Sequence, residues 1–227
     1  MRLLRLLLTS RFWLAAALGF GLVSPAVAAP TVPLLAQSPE GQSLDDSQAE
    51  AQQFLDEGND RLEAGDVDGA IAAWQQALNL YQQLGDSLGE ARTLGNLGYA
   101  ANAIGAHEQA LALYQIALGL ARDIENPAME LNFLANLGLA HSALGQSDLA
   151  IAAYEEALPL AQAQGNRGGE GAIAGGLALA YEQMENYEQA LEFYQMMLEV
   201  ATEQGDATTA ETAQAGITRI EELLANP

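Results

Sequence analysis

The sequence contains no cysteine, which excludes disulfides, a lipid-modified cysteine anchor and thiol catalysis. Lysine is absent too, so all eight basic residues are arginines, set against 30 acidic ones. The two histidines, His107 and His141, lie far apart. With no thiolate beside them, neither a zinc site nor a nucleophilic triad can be assembled. Beyond one run near the start, no stretch is long and apolar enough to cross a bilayer.

That run has the layout of a secretory leader. Arg2 and Arg5 form a basic start, Arg11 precedes the apolar stretch Phe12 to Val23, and Ala26-Val27-Ala28 offers an A-x-A cleavage site. Cleavage after Ala28 is expected, since cutting one residue later would place Pro30 at the scissile bond. An uncleaved N-terminal anchor is the alternative. Without residues 1–28 the chain keeps five arginines against 30 acids, a net charge of −25. So acidic a chain repels phosphate backbones and anionic lipid, which argues against nucleic acid and peripheral membrane binding. It favours neutral or basic partners.

Residues 29–47 carry three prolines among small and polar residues and read as a flexible linker. Beyond them the sequence repeats every forty residues. GDVDGAIAAWQQALNL from Gly65 aligns with segments that start at Gly105, Gly145 and Glu185. The alignment superimposes Ala70, Ala110, Ala150 and Ala190, and four residues later Trp74, Tyr114, Tyr154 and Tyr194. Alanine, an aromatic four residues on and alanine three further trace one face of a helix. Upstream of each lies a partner helix with a small contact residue: Gly58, Gly98, Gly138 and Ala178. Gly65, Gly105 and Gly145 stand where a left-handed C-cap is expected. Each unit is therefore a helix–turn–helix hairpin, and hairpins that cannot bury their own apolar face must stack.

This pattern resembles the tetratricopeptide repeat (TPR): Leu94-x-x-Leu97-Gly98 on a first helix, and Tyr181, Ala190 and Tyr194 in the last unit. The resemblance covers about residues 48–206. Its period of forty, longer than the usual ~34, is similar to that of kinesin light chain. What it implies is an all-α α-solenoid with units at about 48–86, 87–126, 127–166 and 167–206. Residues 207–227 follow as a capping helix and tail, with Ala210, Ala213, Ile217, Ile220 and Leu224 near one face.

The resemblance further implies that first helices line a concave groove that holds extended peptides. Asn96 and Asn136 are equivalent positions there, suited to hold a ligand backbone through amide donor and acceptor. Asp56 and Gly176 occupy the same register elsewhere. Gln52, Arg92 and Asn132 lie one turn upstream, Asn59 and Tyr99 one turn downstream. The same asparagines can instead bond across adjacent helices. Arg92 is the only cation on the strip, which speaks against a clamp for an acidic peptide tail.

Other features read as structural. Asp66-Val67-Asp68-Gly69 echoes the start of a calcium loop, but no glutamate closes it. His107 is expected to be exposed and His141 to be packed at an aromatic position. Glu155-Glu156 and Glu221-Glu222 read as solvated faces. Gly168-Gly169 and Gly175-Gly176 follow no strand, so they form no nucleotide loop; they are expected to loosen their helix. No catalytic residue, metal or cofactor is expected. The functional expectation is an exported, periplasmic or extracellular module that binds a protein partner in its groove. The alternative is a scaffold within an envelope or membrane assembly, using its convex face or ends.

Overall fold

The protein is described by a computed structural model over residues 43–225, which form nine helices and no strand. They are α1 Leu44–Glu63, α2 Val67–Leu84, α3 Ser87–Ala103, α4 His107–Asp123 and α5 Pro127–Ala143, then α6 Ser147–Ala163, α7 Arg167–Gln183, α8 Tyr187–Gln204 and α9 Ala207–Ala225. The leader, most of the linker and the last two residues lie outside the described part. The fold is all-α and of the α-solenoid class: helix–turn–helix units, then α9 as a cap. Two compact units divide the chain, one ending at Thr93 and the other beginning at Leu94. Within the second, each helix packs on its neighbours in sequence, and α5 also meets α7.

Each hairpin is held by an aromatic ring laid on a small residue. A Cβ added at Gly58 would lie 2.3 Å from the Trp74 indole. One at Gly98 would lie 2.7 Å from the Tyr114 ring, and one at Gly138 2.5 Å from the Tyr154 ring. Tyr194 clusters with Ala178 in the same way. All four rings are buried, as are Ala70, Ala110, Ala150 and Ala190. In residues 94–227 a ring also reaches forward to the next hairpin. Tyr154 meets Gly176 and Tyr194 meets Gly216, each 2.6 Å from where a Cβ would stand. The ring thus fixes both the hairpin and its neighbour.

The turns repeat at half the period. Positions 65, 85, 105, 125, 145, 165, 185 and 205 all have positive φ, six as glycine and two as Glu125 (φ 51°) and Glu185 (φ 58°). A residue in this conformation ends the helix and lets the carbonyls of its last turn accept N–H groups from beyond it. In every turn between hairpins the next residue is an Asp or Asn that caps the following helix. Asp86, Asn126, Asn166 and Asp206 accept from Gly89, Met129, Gly169 and Thr209 N–H at 2.9–3.1 Å. Asp66 does the same for Gly69 at 2.9 Å while also accepting from Arg61, so its carboxylate serves as a helix cap.

Two expectations need correction. His141 is only half-buried, with its Nδ1 2.7 Å from Gln146 Oε1. His107 is half-buried rather than exposed, with its Nδ1 2.7 Å from Asn102 Oδ1. In both cases the left-handed residue folds the chain so that side chains five residues apart meet across the turn. The aromatic packing expected of His141 is found one unit later, where Tyr181 stacks on Phe193 at 5.6 Å.

On α9, Ala213, Ile217 and Ile220 are buried while Leu224 is exposed. Glu211, Gln214, Thr218 and Glu221 are exposed at the positions where a first helix would receive its second. That face is polar, so the repeat packing closes there.

Two predictions follow from this packing. Gly138→Ala is expected to destabilise by about 1–3 kcal/mol, because overpacking against Tyr154 outweighs the gain of roughly 1 kcal/mol in helix propensity. Gly119 in α4 has nothing within 4 Å of a built Cβ, so Gly119→Ala should instead stabilise by about 0.5–1 kcal/mol. Denaturant midpoints of the two variants should move in opposite directions. Separately, Glu125→Gly and Glu185→Gly should each raise stability by about 1 kcal/mol by relieving left-handed strain, measurable by thermal unfolding.

Candidate functional site

First helices present three residues per turn-pair to one face, and the forty-residue register lets their rows be read across units. In residues 43–93 that face carries Gln52 and Asn59 on α1 and Arg92 on α3. Gln52 donates to Asp56 at 2.7 Å and accepts from the Tyr81 hydroxyl at 3.2 Å. Asn59 Oδ1 accepts from the Trp74 indole at 3.2 Å, so this amide serves the hairpin's interior. Gln52, Tyr81 and Arg92 together line a recess of about 450 Å³. Among the described arginines, Arg92 alone forms no ion pair with a carboxylate. Burial pushes the Tyr81 phenol up, and nearby Arg92 opposes that shift.

In residues 94–227, Asn96 and Asn136 are half-buried, and Asn132 and Tyr99 are exposed. Asn136 Nδ2 donates to the Asn132 carbonyl of its own helix at 2.8 Å. The amide strip is therefore present on α3 and α5. One repeat further on, its character changes.

There a pocket of about 680 Å³ opens between α5, α7 and α9. Its floor is Tyr154 on α6 with Tyr194 and Met197 on α8. The walls are Leu139 and Ser142, then Ala172, Gly176 and Leu179, then Thr212, Ala215 and Arg219. The cause lies in the sequence: where Asn136 stands on α5, α7 has Gly176, and the missing side chain lets the Tyr154 ring form the floor. Gly171 and Gly175 of α7 likewise receive Val200 and Met197 at close range, so these glycines are packing contacts. Leu139 and Leu179, equivalent positions one repeat apart, are 50% and 52% exposed beside the opening.

At the pocket edge a charged cluster ties α9 to the units before it. Glu182 accepts from Arg219 Nε at 2.6 Å, from Nη2 at 2.7 Å and from the Tyr194 hydroxyl at 2.7 Å. The Arg219 guanidinium also lies 6.0 Å from the Tyr194 ring centre. Arg219 holds the Glu182 carboxyl below its ordinary value against the opposing effect of burial, with Tyr194 helping. Burial, then the bond to Glu182, pushes the Tyr194 phenol up.

Sequence reasoning missed Leu139, Leu179 and Arg219. The signal was available: the register row 99, 139, 179, 219 reads Tyr, Leu, Leu, Arg, with two leucines on a face otherwise polar. Among the described residues, no group of three or more His, Asp or Glu could hold a metal ion, and no helix is long and apolar enough to cross a membrane.

Comparisons with known proteins agree with the repeat architecture. The tetratricopeptide-repeat family model matches residues 50–123 and 130–214. No curated protein matches in sequence. Among solved structures, aspartyl phosphate phosphatase F from Bacillus subtilis is similar at 13% identity and TM-score 0.67, over 79% of this chain and 50% of that one. A Rap protein complexed with competence and sporulation factor gives 18% and 0.65, over 80% and 54%. The nearly identical TPR-like repeats assigned to a kinesin light chain of Podosopora anserina give 16% and 0.64, over 77% and 86%. The chain thus spans about half the length of the phosphatase and of the Rap protein, and at these identities the likeness is one of fold.

The Glu182 cluster makes a pH prediction. Because the folded pKa lies below the ordinary 4.5, the pairing stabilises fully above the unfolded value and is lost as pH falls through the folded one. Glu182→Gln should therefore lower thermal stability at neutral pH. It should also flatten the loss of stability from about pH 5 downward relative to the parent.

Proposed function

The chain belongs to the tetratricopeptide-repeat family, and from that premise we propose that it is a protein-interaction module that holds a segment of a partner against the first-helix face of residues 94–227. The observation that carries this reading is the pair of half-exposed leucines, Leu139 and Leu179, at the mouth of an apolar pocket with an aromatic floor. Half-exposed leucines beside a cavity of this size cost free energy in water and return it when a partner covers them. Asn96, Asn132 and Asn136 extend the face with amides able to meet a ligand backbone. The Rap neighbour is seen with competence and sporulation factor, which supports ligand binding as a use of such repeats without naming a ligand for this chain.

In this reading residues 1–28 direct export and are removed. The repeats, from α1 at Leu44 onward, work in the periplasm or outside the cell. The role is one of binding, with no chemistry assigned to the surface carboxylates.

The test is affinity capture from the native envelope with three baits: the parent, Asn96→Ala/Asn136→Ala and Leu139→Ser/Leu179→Ser. Each leucine at the anchor point should contribute about 1–2 kcal/mol. The leucine variant is therefore expected to lose the partner by tenfold or more. Loss in the asparagine variant alone would move the working surface to the amide strip. Equal capture by all three baits would refute groove binding.

A further inference from the structure

We infer that the occupant of the pocket between α5, α7 and α9 is a basic polypeptide segment, one that inserts a large apolar side chain and carries arginine or lysine on either side of it. The inference rests on the binding reading above and adds the chemical class of the partner.

Charge is the first argument. From residue 94 to residue 227 the sequence has 18 Asp and Glu and three Arg, a net −15 with histidine neutral. All three arginines are taken up inside the unit. Arg122 is held by Glu130 and Glu156, Arg167 by Glu170 and Glu203, and Arg219 by Glu182. An acidic ligand would have to break one of these pairs to find a cation. A basic one meets a field already in place, which raises its rate of encounter and rejects the wrong sign. Arg219 stands at the pocket edge, but with both Glu182 oxygens bound to it, it presents a neutral pair rather than a free positive charge.

Shape is the second. The pocket, at about 680 Å³, has room for a large side chain, and its apolar lining does not end at its mouth. Tyr99, Leu139 and Leu179 occupy one register row on α3, α5 and α7 and are all about half exposed. An apolar row running away from an apolar pocket fits an elongated chain with more than one contact. A compact small molecule would leave the row in water.

The experiment is selection of short linear sequences from a random peptide display library on the full chain, at low and high salt, with the Leu139→Ser/Leu179→Ser chain panned in parallel. The expected result is enrichment of sequences with one or two large apolar residues flanked by Lys or Arg. Their retention should fall about tenfold as salt rises from ~0.1 M to ~1 M and the screening length shrinks from about 10 to about 3 Å. The serine variant should not enrich them. Enrichment of acidic or uncharged apolar sequences, still lost in the serine variant, would overturn the basic class and leave the pocket reading intact. Sequences retained equally by parent and serine variant would overturn the pocket reading and this inference with it. No enrichment at all would overturn a peptide occupant.

Discussion

An aromatic ring pressed against a residue with little or no side chain is the contact on which the rest of this protein depends. Trp74 on Gly58, Tyr114 on Gly98 and Tyr154 on Gly138 close their hairpins. Tyr154 and Tyr194 then continue to Gly176 and Gly216 of the following helix. Because interiors pack like organic solids, a flat ring between two backbones sets the distance between hairpins as well as within them. The polar ends of these rings must then be satisfied one by one. Trp74 donates to Leu55 and Asn59, and Tyr194 to Glu182. The Tyr114 hydroxyl has no partner among the described residues. Asn102, the register equivalent of Glu182, lies instead against His107.

The same contact generates the candidate site. Gly176 exists to receive Tyr154, and its missing side chain is also what opens the face beside Leu139 and Leu179. Packing and pocket are two consequences of one substitution in the repeat register. This is why the pocket sits between α5, α7 and α9.

The repeat was legible in the sequence because its physics is local and periodic. Alanine and aromatic at fixed helical spacing, small residues opposite and glycine at the turns leave little freedom, and all of the aligned rings are buried. The turn chemistry was only half legible. Gly65, Gly105 and Gly145 announced themselves, while Glu125 and Glu185 adopt the same conformation with nothing in their chemistry to signal it. The site was less legible still. Asparagine draws attention because it can form hydrogen bonds in two directions, yet Asn59 and Asn136 each turn one group of the amide to a partner within the chain. The pocket depends on an absent side chain at Gly176 and on the reach of Arg219 to Glu182 across 37 positions. Neither is a property of any one segment.

The left-handed residues recur every twenty positions, but only the turns between hairpins are all followed by a side-chain cap, which makes the hairpin the interchangeable length of this chain. A segment cut at two such turns begins with a capping residue and ends in a reversal. Duplicated copies could therefore be spliced in without redesigning their ends. The polar outer face of α9 limits where this can happen. Growth of the array has to be internal, before position 206, with the last helix carried along unchanged as the array lengthens. Lengthening in that way would also keep α9 beside whichever hairpin comes last, so the wall that α9 lends to the pocket would be inherited by a new neighbour each time.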